Sequence, residues 1–202
     1  MKRTGRAGAV LIISAKPRIL QKVRAALTPG YGRVLSAETA QEAEKAVLRE
    51  RIAVILVFTP LKDEEELQHL LEMAERRMIA VALAVSSEVY EETAYRMEGR
   101  HVFVISYPIQ MREVLQAAGF LYQVQERLLT LLSEQDRLKT ELRDSRLISR
   151  VKCLLVEKRG LTEEAAHHLI EQKAMNAGIP KREAAEKLLA ELLLPEGGSS
   201  GT

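Results

Sequence analysis

Ala53-Val54-Ile55-Leu56-Val57-Phe58 is an unbroken apolar run. A strand with one wet face alternates apolar and polar residues, whereas a continuous run reads as a strand buried on both faces. Val10-Leu11-Ile12-Ile13 and Val102-Phe103-Val104-Ile105 read the same way. Burial on both faces calls for a parallel sheet covered by helices on each side. Strand-like runs at residues 9–13, 33–36, 53–58, 79–85 and 101–105 alternate with amphipathic stretches at 17–27, 39–49, 65–77 and 88–97. Pro17 suits a first helical turn, Pro29-Gly30 closes that helix, and a further helix is expected after Pro108. This alternation predicts a doubly wound α/β domain.

The whole chain has 202 residues, room for one or two domains at about 100–200 residues each. Its 30 Lys+Arg against 28 Asp+Glu leave a net charge of +2, which demands no polyanionic partner yet permits a local basic face. Apolar residues, at 47%, suffice for a packed core. Aromatic residues are 4% with no Trp, which argues against a stacking platform for single-stranded nucleic acid. One cysteine, Cys153, excludes an internal disulfide framework and any multi-thiolate zinc site, and fits a reducing compartment. Lys2, Arg3 and Arg6 precede an apolar run too short for an export signal, and no stretch approaches the ~20 apolar residues of a membrane helix. A soluble cytoplasmic protein without membrane contact is expected. With four histidines (His69, His101, His167, His168) no metal site is expected either. No glycine-rich phosphate loop, catalytic triad or carboxylate metal site is legible, so neither enzymatic activity nor a cofactor is expected.

Residues 120–159 contain no Pro or Gly. Apolar residues at Ala117, Leu121, Val124, Leu128, Leu131, Leu138 and Leu142 step by 4, 3, 4, 3, 7 and 4, with Gln135 in the skipped position. This is a heptad seam with one polar member, flanked by charges such as Glu126, Arg127, Glu134 and Arg137. A helix from ~110 to ~158 spans roughly 75 Å at 1.5 Å per residue, more than one small domain covers. Two readings stay open: an amphipathic helix folded back on its own protein, or the favoured parallel homodimeric coiled coil in which Gln135 fixes register.

The remainder is helical. Residues 149–159 continue the helix to a C-cap at Gly160. Thr162 caps a second helix with Glu163 and Glu164 near its N-terminus and Ala166, Leu169, Ile170, Ala174 and Met175 on its core face. Asn176-Ala177-Gly178 stops it, and Pro180 opens a third helix carrying Ala184, Ala185, Leu188, Leu189 and Leu192. The tail at 196–202 is expected to be disordered, whether an expression scar or the native end.

In strand order and length the first region resembles a response-regulator receiver domain, a flavodoxin-like fold. Val151-Lys152-Cys153, Gly160-Leu161-Thr162-Glu163-Glu164-Ala165-Ala166, Ala174-Met175 and Ala184-Ala185 follow the order of an ANTAR motif. Residues 147–192 therefore resemble the ANTAR domain of RNA-binding transcription antiterminators, an all-α three-helix bundle. Cys153 replaces a usual Gly, and His167 stands where an aromatic is common. The implied organisation is a pseudo-receiver over 1–110, a coiled-coil dimerisation helix over 111–146, an ANTAR domain over 147–195 and the tail.

The receiver resemblance stops at the chemistry. A phosphoacceptor site needs carboxylates for a hard cation and an acceptor Asp. Here Ser14-Ala15-Lys16 follows the first strand, Leu56-Val57-Phe58-Thr59 ends the third, and Tyr107 stands where a Lys precedes Pro108. Ser86 matches the usual switch position. The acidic run Asp63-Glu64-Glu65-Glu66 reads as helix-dipole compensation. A pseudo-receiver that is not phosphorylated on Asp is expected, and the resemblance implies a cis Tyr107–Pro108 bond.

For the third region the resemblance implies structured RNA, dual stem-loops bound by a dimer so that an overlapping terminator cannot form. Candidate cations are Arg146, Arg150, Lys152, Lys158, Arg159, Lys173, Lys181 and Arg182, each otherwise a solvated surface charge. The expected RNA-binding set is Arg150, Lys152, Lys173, Met175, Asn176, Lys181 and Arg182. Lys152 matches the family's Lys, and Asn176 is suited to a base edge. His168 reads as a surface residue. Control is expected from a protein or ligand docked on the pseudo-receiver. The alternative is a protein-interaction adaptor that uses the pseudo-receiver and coil without binding RNA.

Overall fold

The computed structural model describes residues 8–58 and 64–193. In chain order the elements are β1 (Ala9–Ser14), α1 (Pro17–Leu27), β2 (Val34–Ala37), α2 (Ala40–Arg49), β3 (Ile52–Phe58) and α3 (Glu64–Arg76). They continue with β4 (Ala80–Ser86), α4 (Tyr90–Arg96), β5 (Val102–Tyr107), α5 (Met111–Arg159), α6 (Glu163–Ala177) and α7 (Lys181–Leu193). The five strands form one parallel sheet in the order β2-β1-β3-β4-β5, with Leu11 opposite Ile55, Val57 opposite Leu83 and Leu83 opposite Val104. The expected α/β fold is observed.

Strand geometry explains the continuous apolar runs. Successive side chains point to opposite faces. Val10, Ile12, Val54, Leu56 and Ala82 pack in one core with Leu20, Val23 and Leu27 of α1 and Val114, Ala118, Leu121 and Tyr122 of α5. Leu11, Ile13, Ile55, Val57 and Leu83 pack in the other with Ala40, Ala43 and Val47 of α2 and Leu70, Leu71 and Ala74 of α3. Every residue of β3 is buried. β5 is the exception. It lies at the sheet edge, Phe103 is 47% exposed, and none of its residues is fully buried. α4 beside it buries no residue. That helix is shorter than the expected 88–97 because Val89 at its N-cap offers no side-chain cap and no packing extends it.

Two contacts hold the start of β1 and the sheet-facing part of α5. Tyr122 Oη donates to Gly8 O at 3.1 Å, and the buried Gln125 side-chain amide donates to Met78 O. Gly8 has φ +121°, and a Cβ there would stand 2.3 Å from Arg51 O, so only glycine fits.

The described residues divide into two compact units between Leu131 and Leu132. In the second, Val151 and Leu155 of α5 pack with Ala166 and Ile170 of α6 and Ala185, Leu188 and Leu192 of α7. Thr162 caps α6 by accepting from Ala165 N at 3.2 Å, and Gly178 ends it at φ +63°. Both agree with the sequence reading. The expected tail at 196–202 lies outside the described residues.

One seam residue is corrected. Leu121 does not belong to an exposed seam: it is 8% exposed and lies in the core that α5 shares with α1 and the sheet. Helical spacing places Leu121 with Val114 and Ala118 on the face that meets the sheet. Its neighbour Phe120, 62% exposed, instead joins Val124, Leu128 and Leu131 along an open groove. Val124 (46%), Leu131 (49%), Leu138 (53%) and Leu142 (52%) remain exposed at heptad-compatible steps, as does Gln135.

Leu155 has no exposed surface, so Leu155→Ala leaves a cavity in the bundle. A loss of about 2–5 kcal/mol in bundle stability is expected, read as an earlier helical transition in urea by circular dichroism.

Candidate nucleic-acid interface

Open α/β sheets bind ligands beyond the carboxyl ends of their strands. Here β1 ends in Ser14, whose buried Oγ accepts from Lys16 N at 3.2 Å. β3 ends in Phe58 and β5 in Tyr107, with ring centroids 6.3 Å apart. The Tyr107 hydroxyl is buried with no hydrogen-bond partner among the described residues, and burial pushes its pKa up to about 12. The Tyr107–Pro108 bond is cis, as the resemblance implies. An aromatic pair thus occupies ground where hard-cation chemistry needs carboxylate oxygens. Asp63 and Thr59 lie outside the described residues. Incubation with a small-molecule phosphodonor is expected to give no acid-labile adduct, as measured by intact-mass spectrometry.

The second unit carries the expected RNA-binding side chains. Arg150 and Lys152 stand on α5, Lys173, Met175 and Asn176 on α6, and Lys181 and Arg182 open α7. Met175 is 81% exposed, and Arg150 and Asn176 are exposed too. The motif's Ala174 faces inward while Met175 faces out, because adjacent helical residues point about 100° apart. This corrects the assignment of Met175 to the α6 core.

Four of the expected cations are already paired. Lys152 Nζ lies 2.6 Å from Glu163 Oε1, and Lys181 Nζ lies 2.5 Å from Glu171 Oε1. Lys173 Nζ bonds both carboxylate oxygens of Glu191, at 2.6 and 2.8 Å. Arg182 Nε donates to Glu186 Oε1 at 3.0 Å and stands 3.5 Å from Asp144 Oδ1. Lys158 Nζ instead caps α7 by donating to Leu192 O at 2.7 Å, and Arg159 stands 3.9 Å from Glu191. Among the described residues Arg146 and Arg150 have no carboxylate in ion-pair range. His167 Nε2 and His168 Nδ1 approach Glu171 at 3.2 and 3.6 Å, so His168 is exposed as expected but not isolated.

These acids are the ion-pair partners that the sequence reading missed. Arg182–Glu186 and His167–Glu171 are i,i+4 pairs, legible from spacing. Lys152–Glu163, Lys173–Glu191 and Lys181–Glu171 join different helices, and no local pattern announces them.

The hydrogen bond and charge of Lys152 hold the Glu163 carboxyl below the usual carboxylate range, and Lys181 does the same to Glu171, helped by the charges of both histidines. A carboxylate whose folded pKa is lowered contributes stability that is present above its unfolded value. That contribution is lost as pH falls through the folded value. Surface pairs are weak, so the effect is small. Glu171→Gln is therefore expected to lower Tm slightly near neutral pH, with the difference from wild type closing under acid. Thermal melts between about pH 7 and about pH 3 check this.

Comparison with known families places residues 136–189 on the ANTAR domain model. No curated protein matches the chain. Among solved structures the response regulator StyR aligns with a TM-score of 0.65 at 12% identity, covering 91% of this chain and 98% of that one. An adenylate cyclase structure from Rhodopirellula baltica aligns at TM-score 0.56 and 17% identity over 65% of this chain and 96% of that one. A response regulator receiver domain protein from Clostridium thermocellum aligns at 0.52 and 16%, over 59% and 98%. At such identities these likenesses speak to the fold. Residues 136–189 thus match the ANTAR domain model, and the α/β unit before them has the fold of receiver domains.

Proposed function

We propose that the protein binds paired stem-loops in a nascent leader transcript as a homodimer, and so keeps an overlapping terminator hairpin from forming. The ANTAR match over 136–189 carries this reading, and the resemblance drawn from the sequence sets Lys152 against the family's lysine. The interface works by phosphate contacts from Arg150, Lys152, Lys173, Lys181 and Arg182, with Met175 and Asn176 exposed beside them. The ion pairs are compatible with it: an exposed pair contributes only about 0–1 kcal/mol, so a phosphate can displace a carboxylate from its lysine.

Dimerisation supports the reading through effective concentration. Val124, Leu128, Leu131, Gln135, Leu138 and Leu142 of α5 are the seam, with Phe120 in place of Leu121 at its start. Linking two weak sites raises apparent affinity by up to ~10²–10⁴-fold where geometry permits. Control comes from a protein or ligand docked on the pseudo-receiver, whose strand ends lack the acceptor chemistry.

The adaptor reading keeps one observation in its favour: Lys152, Lys173, Lys181 and Arg182 are all engaged by carboxylates. One gel-shift series with dual stem-loop RNA separates the two. RNA binding predicts a steep loss of affinity with salt, about fourth power if ~4 phosphates are neutralised per bundle. Lys152→Ala weakens binding, and Glu163→Gln, which frees Lys152, strengthens it. Leu131→Glu is expected to sediment as a monomer and to lose avidity toward paired stem-loops, not toward one. Salt-insensitive or absent binding throughout favours the adaptor.

A further inference from the structure

Every residue of α5 from 133 to 143 is exposed, so about three turns of helix are covered by nothing among the described residues. A bare helix of that length is marginal in water. One ion pair of its own lies inside the stretch, Arg137–Glu141 at 3.0 Å. Leu131, Leu138 and Leu142 nevertheless keep an apolar row in solvent there.

The row decides which residues flank it. Val124, Leu131 and Leu138 hold one heptad position, and Leu128, Gln135 and Leu142 hold the other. Glu134 and Glu141, one residue before Gln135 and Leu142, line one flank. Lys139 and Arg146, one residue after Leu138 and Ser145, line the opposite flank. All four are exposed. Glu134, Lys139 and Arg146 have no ion-pair partner among the described residues, and Glu141 has Arg137 alone. One flank is therefore acidic and the other basic over the same turns.

We propose that this stretch pairs with the same stretch of a second copy, in parallel and in register, zipped by Glu134 with the partner's Lys139 and by Glu141 with the partner's Arg146. In a parallel pair each flank of one helix meets the opposite flank of its mate, and such flanking pairs set partner and orientation. Two-fold symmetry makes each bridge twice. Gln135 meets the partner's Gln135, where one amide donates to the other. An antiparallel pair sets Glu134 against the partner's Glu134 or the partner's Glu141, and sets Gln135 against a leucine. The helix is thus its own complement in one orientation, which favours a second copy over an unrelated helix. Arg146, without a carboxylate in its own chain, finds one there.

The same spacing marks where the pair ends. Steps of 3 and 4 beyond Leu142 reach Ser145 and Ser149, both exposed and polar. Leu147 and Ile148 already turn to the core with α6 and α7. Near Ser145, α5 passes from the second copy to its own bundle, and both bundles leave the pair at the same end.

This inference rests on the homodimer reading and adds to it the orientation, the register and the residues that choose the partner. The test uses the full chain without RNA. Glu134→Lys with Glu141→Lys makes one variant, and Lys139→Glu with Arg146→Glu makes the other. Each alone is expected to dimerise about 10–100-fold more weakly than wild type in sedimentation, since every flanking pair becomes repulsive. Mixed, the two are expected to form a heterodimer at near wild-type affinity, which misfolded variants do not. Orientation is read from cysteines placed in a Cys153→Ser background. Leu142→Cys is expected to form a disulfide with itself under mild oxidation, because cysteines bridge only when their Cα atoms come within about 7 Å.

A dimer in which Leu142→Cys bridges to Val124→Cys in a mixture, and not to itself, is antiparallel and overturns the proposal. So does a mixture of the two charge variants that forms no heterodimer. Both results leave the homodimer reading standing. Wild type that sediments as a monomer at every concentration overturns the pairing and the homodimer together, and leaves binding of a single stem-loop to be read separately by gel shift.

Discussion

α5 runs through 49 residues without a break, and the rest of the chain depends on what that continuity demands. Val114, Ala118, Leu121 and Tyr122 complete the core on one face of the sheet. Val151 and Leu155 supply the floor of the helical bundle. Between them, Val124 to Leu142 keep apolar side chains in solvent. One helix therefore contributes to two separate cores and carries an apolar row that neither core covers. In a helix the burial direction turns about 100° per residue, so each task selects its own side chains. Leu121 and Phe120 show how sharply: adjacent in sequence, one is core and the other solvent-exposed.

The same economy governs the bundle. Around a small core of Ala, Val, Leu and Ile, ion pairs link the helices at the surface. Glu171 alone meets Lys181, His167 and His168. Such pairs add little stability on the surface. Their consequence is orientation: long, rotamer-rich lysine side chains are held in fixed positions on the bundle surface.

The α/β fold was legible because its evidence is one-dimensional. Val54-Ile55-Leu56-Val57 declares a doubly buried strand, and Pro17, Thr39, Thr162 and Gly178 mark helix ends through their own backbone chemistry. The ANTAR motif was legible for a similar reason, since its landmarks come in fixed order along the chain. Other features were not. Heptad counting assigned Leu121 to the seam because the helix has the same period whether it faces a sheet or a partner helix. Met175 was assigned to a core because its spacing from Leu169 and Ile170 tolerates either side of the stripe. The carboxylates facing Lys152 and Lys173 lie on other helices, and only the folded bundle brings them close.

β5 has a further consequence. It is an edge strand of six residues, Val-Phe-Val-Ile-Ser-Tyr, with no charge and no proline, half open to solvent beside a helix that buries nothing. Natural sheets usually blunt such edges with lysine, proline, a bulge or brevity. The opposite edge, β2, has brevity, with only four residues. β5 has none of these, and its backbone donors and acceptors form a template for another extended chain. An uncovered edge of this kind favours sheet-to-sheet association as concentration rises.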